Sequence, residues 1–167
     1  MITTILSFPL GQILLAKTEQ GLCLAHYSQT KKNIRQTKDL LKKKGFSPTS
    51  DKAAFKDELK LFNQYFNGQR VDFSKLPVHF IFGTPYQQNI WKEAAKIPYG
   101  QTETYKSLSL KMNHNGFRSA GQALSKNPLI ILVPCHRVLA TGSLGGFSAG
   151  LHLKKYLLDL ENIPLPS

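Results

Sequence analysis

Cysteine occurs only twice, at Cys23 and Cys135, too few for a disulfide framework, so the fold has to rest on its core and a reducing compartment is expected. Long apolar runs are missing as well. The longest, such as Leu129 to Val133, are strand-sized, far short of the roughly 20 residues that span a bilayer. The opening residues are apolar but carry no basic leader, and Pro9, Gly11 and Gln12 interrupt them, so no secretory signal is expected. Together these absences point away from a membrane partner and toward a cytoplasmic protein. Acidic residues are scarce, 10 against 22 Lys and Arg, for a net charge of +12. That imbalance suits a polyanionic partner such as nucleic acid, but basic proteins that bind none are common, and charge alone leaves both readings open.

What is present is an ordinary globular composition. The 167 residues, 41% hydrophobic and 19% charged, fit one large domain or two compact ones and exclude collagen, coiled coil and disorder. Residues 2 to 27 read as a meander of short strands, Ile5 to Phe8, Gln12 to Ala16 and Leu22 to Tyr27, with turn chemistry at Gly21. Asn33 to Lys44 reads as a helix that ends in cations before Gly45, and its lysines as a solvated face. Phe55, Leu59, Phe62 and Phe66, spaced i, i+4, i+7 and i+11 behind a capping Asp51, predict an amphipathic helix. Val78 to Phe82 reads as a further strand.

Gly83 divides an α+β part, 1–83, from a more helical part, 84–167. The charge excess is shared, with 13 basic and 6 acidic residues before Gly83 and 9 and 4 after it. Thr84-Pro85-Tyr86-Gln87 carries a cap, a proline at the first helical position and a returning Gln. Two short helices follow. One starts near Thr104 with Tyr105, Leu108 and Met112 on a stripe, and Asn113-His114-Asn115-Gly116 ends it. The second, Phe117 to Ser125, turns Phe117, Ala120 and Leu124 inward and shows Arg118, Gly121, Gln122 and Ser125 outward. The pair has the pattern of a helix-turn-helix, which any αα-hairpin also shows.

The chemistry-bearing residues lie near the end of the chain. Leu129 to Val133 reads as a buried strand that delivers Pro134-Cys135-His136-Arg137-Val138 at its tip. An ordinary thiol, near pKa 8.5, is only a few per cent thiolate at neutral pH, so a nucleophilic Cys135 needs a base or cation beside it, with His136 and Arg137 the local candidates. A buried structural cysteine is the competing reading. Ser148 is placed to cap a last helix whose Leu153, Tyr156, Leu157 and Leu160 face the core. Lys154, Leu158 and Glu161 share a neighbouring stripe. Glu161 can therefore orient His136 from within, or sit on the surface and pair with Lys154 or Lys155. Thr141 to Gly150 holds four glycines, either a close-approach loop or a plain turn, and matches no phosphate-loop pattern.

Ile-Leu-Val-Pro-Cys-His-Arg-Val, with Asn127-Pro128 before it, a Gly-Phe-Ser loop after it and the Leu157-Leu158-Asp159-Leu160-Glu161 ending, resembles the O6-alkylguanine-DNA alkyltransferases, also called methylated-DNA–protein-cysteine methyltransferases. The match is specific from about Thr84 to Glu161. The resemblance implies a ribonuclease H-like α+β N-terminal domain and a helical domain with a winged helix-turn-helix that enters the minor groove. It implies single-turnover alkyl transfer from O6-alkylguanine in duplex DNA to Cys135, by a monomer without a cofactor. O4-alkylthymine is left open as a second substrate.

Position by position, the resemblance makes His136 the base acting through a water, Glu161 its orienting carboxylate and Asn127 the support of the active-site turn. Tyr105 becomes a proton donor to the departing guanine, Ser148 a donor to O6, and Lys154 a contact of the thiolate region. The backbones of Cys135 and Val138 recognise the guanine amino group, and Phe147 lines the substrate site. Arg118 fills the gap left by an extruded nucleotide, with small Ser119 and Gly121 beside it. Phe117 and Ser119 stand where the family pattern has alanines, and Phe147 where it often has Tyr. Some relatives bind zinc in the N-terminal domain. Here Cys23 and His26 point to opposite faces of one strand and position 5 is Ile, so no metal is expected and Cys23 reads as a buried small hydrophobe. Two other functions share these residues: a cysteine hydrolase or acyltransferase using Cys135, His136 and Glu161, and a non-catalytic winged-helix binder or damage sensor.

Overall fold

A computed structural model describes residues 1–112 and 116–166. The expected break at Asn113-His114-Asn115 lies outside them. The chain forms two units, Met1–Ile81 and Phe82–Ser167.

The first unit is built on strands β1 (Ile2–Phe8), β2 (Gly11–Thr18) and β3 (Gly21–Ser28), each paired antiparallel with the next. The two-residue β4 (Thr49–Ser50) adds parallel to β1, giving the order β3-β2-β1-β4. β2 lies in the interior of the sheet, and Ile13, Leu14, Leu15 and Ala16 are all fully buried. Side chains alternate faces along a strand, so four buried in succession mean that both faces are covered there. Helix α1 (Lys31–Lys43) is capped by Thr30 and buries Ile34 and Leu41. Asp51 accepts a hydrogen bond from the Ala54 N–H (3.2 Å), capping a 3₁₀ turn that leads into α2 (Lys56–Phe66). Phe66 of α2 stacks on Phe8 of β1 with ring centroids 4.4 Å apart, and Phe62 packs against Phe73 at 5.0 Å. The expected strand from Val78 to Phe82 is reduced to a single bridge from Val78 to Leu22. Cys23 is buried and donates to the Ala16 carbonyl (3.4 Å).

The second unit starts with α3 (Pro85–Ala94), whose N-terminus shows the complete Thr84/Gln87 capping box. Gly83 before it sits at φ 84°, where a Cβ would meet the Trp91 ring at 2.4 Å. Trp91 is buried and donates to the Ala123 carbonyl (2.8 Å), fastening α3 to α5 (Phe117–Ser125). Helix α4 (Tyr105–Lys111) precedes α5 in the chain, and the final helix is α6 (Leu151–Leu160). A parallel two-residue ladder joins β5 (Glu103–Thr104) to β6 (Val138–Leu139).

Three expectations for this unit need correction. Leu129 to Val133 is not a strand but a tight turn: Val133 N–H donates to the Leu129 carbonyl (2.8 Å), and Ile131 sits at φ 74°. That left-handed conformation is costly for a β-branched residue. Cys135 consequently lies in a 3₁₀ turn, Cys135–Arg137, and not at a strand tip. Ser148 does not cap α6; Gly150 occupies the N-cap at φ 94°. Phe117, expected inward, is 53% exposed.

Removing a ring from the first unit's core leaves a cavity beside Phe73. Phe62→Ala is expected to lower the unfolding free energy by about 3–5 kcal/mol in urea titration.

Candidate active site

Asn127 organises the turn that carries Cys135. Its Oδ1 accepts from the Leu129 N–H (2.9 Å), and its Nδ2 donates to the Val133 carbonyl (2.9 Å) and to the Cys135 sulfur (3.1 Å). Three bonds from one amide hold Ile131 in its unfavourable conformation and aim a donor at the sulfur. Cys135 itself is 4% exposed. Burial pushes its thiol pKa up, against the opposing pull of the Asn127 hydrogen bond and the Lys154 charge. The resting group is therefore a thiol, and it needs a base to become a nucleophile.

His136 is fully buried, and its Nε2 lies 2.7 Å from Glu161 Oε1. Burial lowers the histidine's pKa, only partly offset by the hydrogen bond and charge of Glu161. The ring is neutral at neutral pH and able to accept a proton. Glu161 is the C-cap residue of α6, held by the last turn's Leu157 and Leu158 carbonyls. Burial would raise its pKa, but hydrogen bonds from His136 and Arg137 prevail and hold it at about 2. The alternative of a surface Glu161 paired with Lys154 or Lys155 is thereby overturned.

Arg137 is the residue that sequence reasoning weighed only as a neighbour of the thiol. It reaches Glu161 twice, Nε to Oε2 (2.8 Å) and Nη2 to Oε1 (3.0 Å), and donates to the Ile97 carbonyl through Nη1 (2.6 Å). The Gly100 N–H adds a bond to Oε2 (3.2 Å). One signal was available: an arginine in an apolar stretch can be buried only if a carboxylate meets it.

The glycine-rich loop is held from below. Lys154 is fully buried, and its ammonium donates to the carbonyls of Val138 (2.7 Å), Leu144 (2.6 Å) and Gly146 (3.3 Å). Burial lowers its pKa to about 8, with the Cys135 charge pulling the other way. No direct bond joins it to the sulfur among the described contacts; its placement is as a clamp on the loop. Val138 is buried, its carbonyl engaged by Lys154 and its N–H by the Cys135 carbonyl. Tyr105, the first residue of α4, donates to the Gly146 carbonyl (3.0 Å), and burial, then the Cys135 charge, raises its pKa. Gly145, at φ 67°, passes so close that a Cβ would sit 2.8 Å from the Tyr105 ring.

These elements enclose a cavity of about 340 Å³ with Cys135 at its wall, lined also by Tyr105, Arg118, Gly121, Phe147 and Ser148. Volumes of this order take a small organic ligand. The cavity thus joins residues from the two halves of the candidate helix-turn-helix, the cysteine turn and the loop. Arg118 is exposed, and Ser119 bonds to the Tyr86 hydroxyl (2.8 Å) and the Gly116 carbonyl (2.6 Å) and does not line the cavity. Phe117 lines it while remaining half in solvent. Among the described residues, no three His, Cys, Asp or Glu side chains group as a metal site, and no helix is long and apolar enough to cross a membrane.

Comparison with known proteins agrees with this layout. Residues 1–80 match the family described as 6-O-methylguanine DNA methyltransferase, ribonuclease-like domain, and residues 85–163 match its DNA binding domain. A methylated-DNA–protein-cysteine methyltransferase of Methanosarcina barkeri is 36% identical over 94% of both chains. One from Sulfolobus acidocaldarius is 33% identical over 93% of this chain and 89% of its own. The chain belongs to the methylated-DNA–protein-cysteine methyltransferase family. Among solved structures, the Mycobacterium tuberculosis O6-methylguanine methyltransferase superposes with a TM-score of 0.79 at 31% identity, covering 95% of this chain and 91% of that one. The M. tuberculosis OGT in complex with DNA gives 0.81 at 29% identity, covering 96% and 92%. The α+β sheet unit and helical unit correspond to this family's ribonuclease-like and DNA binding domains.

The buried carboxylate sets two measurable properties. Glu161→Ala leaves Arg137 charged and unpaired, and is expected to cost about 3–5 kcal/mol in denaturant titration. Its depressed pKa means that Glu161 stabilises the fold fully above its ordinary value of 4.5 and loses that contribution as the pH falls toward about 2. Glu161→Gln should accordingly show a shallower acid decline than the unsubstituted protein across that interval.

Proposed function

We propose that this family member performs direct-reversal DNA repair, with Cys135 taking the alkyl group from O6 of an alkylated guanine in double-stranded DNA once per molecule. The observation that supports it most is the single cavity in which a thiol held by Asn127 and a cation exposed on α5, Arg118, share a wall. His136 removes the thiol proton through a water, and Glu161 stabilises the imidazolium that results. The sulfur attacks the O6-bound carbon in line, a C–S bond forms as the C–O6 bond breaks, and the electron pair stays with guanine. Ser148 donates to O6, and the Tyr105 hydroxyl gives a proton to the ring. The Cys135 and Val138 backbones recognise the exocyclic amino group. The product is a thioether that nothing in the cavity displaces.

The target atom lies inside the duplex, so the nucleotide has to leave the stack at a cost of a few kcal/mol. Arg118 enters from the minor groove to fill the space, Gly121 lets α5 approach closely, and Ser119 is fixed by Tyr86. Phosphates are held by scattered Lys and Arg, with affinity that falls as salt rises. The protein acts as a monomer in the cytoplasm.

Incubation with a duplex carrying O6-methylguanine, followed by intact mass, tests the reading. One added CH₂ per protein, located at Cys135 and absent from Cys135→Ala, is the expected result; repeated turnover or an unchanged mass contradicts it. Arg118→Ala should slow repair of duplex DNA by ten-fold or more while leaving reaction with free O6-methylguanine within about two-fold, since only the duplex requires extrusion. Equal losses on both substrates remove Arg118 from that role.

A further inference from the structure

More than half of the positive excess lies in the unit that contributes nothing to the Cys135 cavity. The residues up to Gly83 hold 13 basic against 6 acidic side chains, +7 of the total +12. Part of that charge is ordered along α2 and the turn before it. Lys52, Lys56, Lys60, Asn63, Gln64 and Asn67 recur at i, i+4, i+8, i+11, i+12 and i+15, which places them on one side of the helix. They line an open concavity of about 890 Å³ whose floor is Leu59. The opposite side of α2 buries Phe62 and Tyr65, so the row is fixed in place by the core.

The three lysines are exposed, and no carboxylate among the described residues lies within salt-bridge distance of them. Of the nearby acids, exposed Asp57 lies at the edge of the row without a salt bridge to it, and the other two are engaged elsewhere. Glu58 is held by Lys17 at 2.7 Å, and Asp51 caps the Ala54 N–H. A solvated helix face normally interleaves both signs, whereas this one presents three cations followed by three carboxamides. Lys, Asn and Gln are the side chains that contact phosphate and sugar without reading sequence. At 1.5 Å per residue the row is about 22 Å long, and a DNA strand presents roughly six phosphates over that axial distance.

We propose that this groove is a second DNA-backbone site, which holds duplex through phosphates independently of sequence and of the lesion. It rests on the proposed function only in taking DNA as the occupant. Its role is to keep the protein on DNA during search, adding electrostatic affinity that the small exposed face of α5 does not supply.

The test is the salt dependence of binding to an undamaged duplex. Lys52→Glu/Lys56→Glu/Lys60→Glu should weaken affinity by at least ten-fold at 0.1 M salt and reduce the slope of log K against log salt by about 2–3, as expected for two or three lost phosphate contacts. Asn63→Ala/Gln64→Ala should weaken binding several-fold with the slope unchanged. Lys31→Glu/Lys32→Glu/Lys43→Glu makes the same charge change on α1 and should move the slope by less than about 1. Equal losses in the two triple variants would mean net charge alone is at work, and an unchanged slope in the first would remove the groove; either overturns the proposal. If the lysine triple variant behaves as predicted while the unsubstituted protein takes no methyl from lesion-bearing duplex, the backbone site stands and the repair reading falls.

Discussion

One carboxylate at the end of the last helix holds the reactive centre together. Glu161 receives the His136 ring, two arms of Arg137 and the Gly100 N–H. Four donors compensate the cost of burying its charge, and because α6 presents it, the helix cannot shift without unpairing an arginine. The same bonds decide the chemistry. A histidine buried without an anion would resist protonation entirely; beside Glu161 it rests neutral and can become a cation for the lifetime of a transition state.

Apart from the residues that α4 and α5 contribute, the cavity wall is irregular backbone, and hydrogen bonds replace regular structure in each piece. Asn127 ties both ends of the turn before Cys135, and its last N–H falls to the sulfur because the first two bonds fix the amide plane. Lys154 does the equivalent for the loop, gathering three carbonyls around one ammonium. Tyr105 closes the gap between that loop and α4, and the absent side chain of Gly145 makes room for its ring. Buried polar groups that are fully satisfied make a rigid site, and rigidity positions a weak nucleophile for attack on carbon.

Much of this was legible from residue order. The amphipathic helix through Phe55, Leu59 and Phe62, the capping box at Thr84 and the meander of the first strands announce themselves by period and local chemistry, since each is set by neighbours within a few positions. The cysteine motif and Glu161 stood out for the same reason that they resembled a known family. What failed depended on contacts distant in sequence. Leu129 to Val133 has the composition of a buried strand, and only Asn127 closing on Val133 turns it into a bend with Ile131 at φ 74°. Arg137 acquires its meaning from a carboxylate 24 residues later. Ser148 is a residue type that caps helices, but α6 begins later in the chain, with Gly150 at its N-cap. Phe117 fits an inward stripe, yet it lies at the first residue of α5, where the helix has barely entered the core. The charge excess before Gly83 is legible in composition, but the lysine row on α2 and its concavity are properties of the folded surface.

The central claim is that a neutral, carboxylate-backed His136 deprotonates a buried thiol, and the pH dependence of single-turnover methyl transfer from lesion duplex to Cys135 tests it most directly. Both the lowered histidine pKa and the raised thiol pKa come from burial. The account predicts a rate that is level through neutrality and falls only in acid below the ordinary imidazole range, near 6.5. A rate that instead climbs about ten-fold per pH unit from about 6 to 8 and levels only above about 8.5, as free ionisation of an ordinary thiol would give, contradicts it.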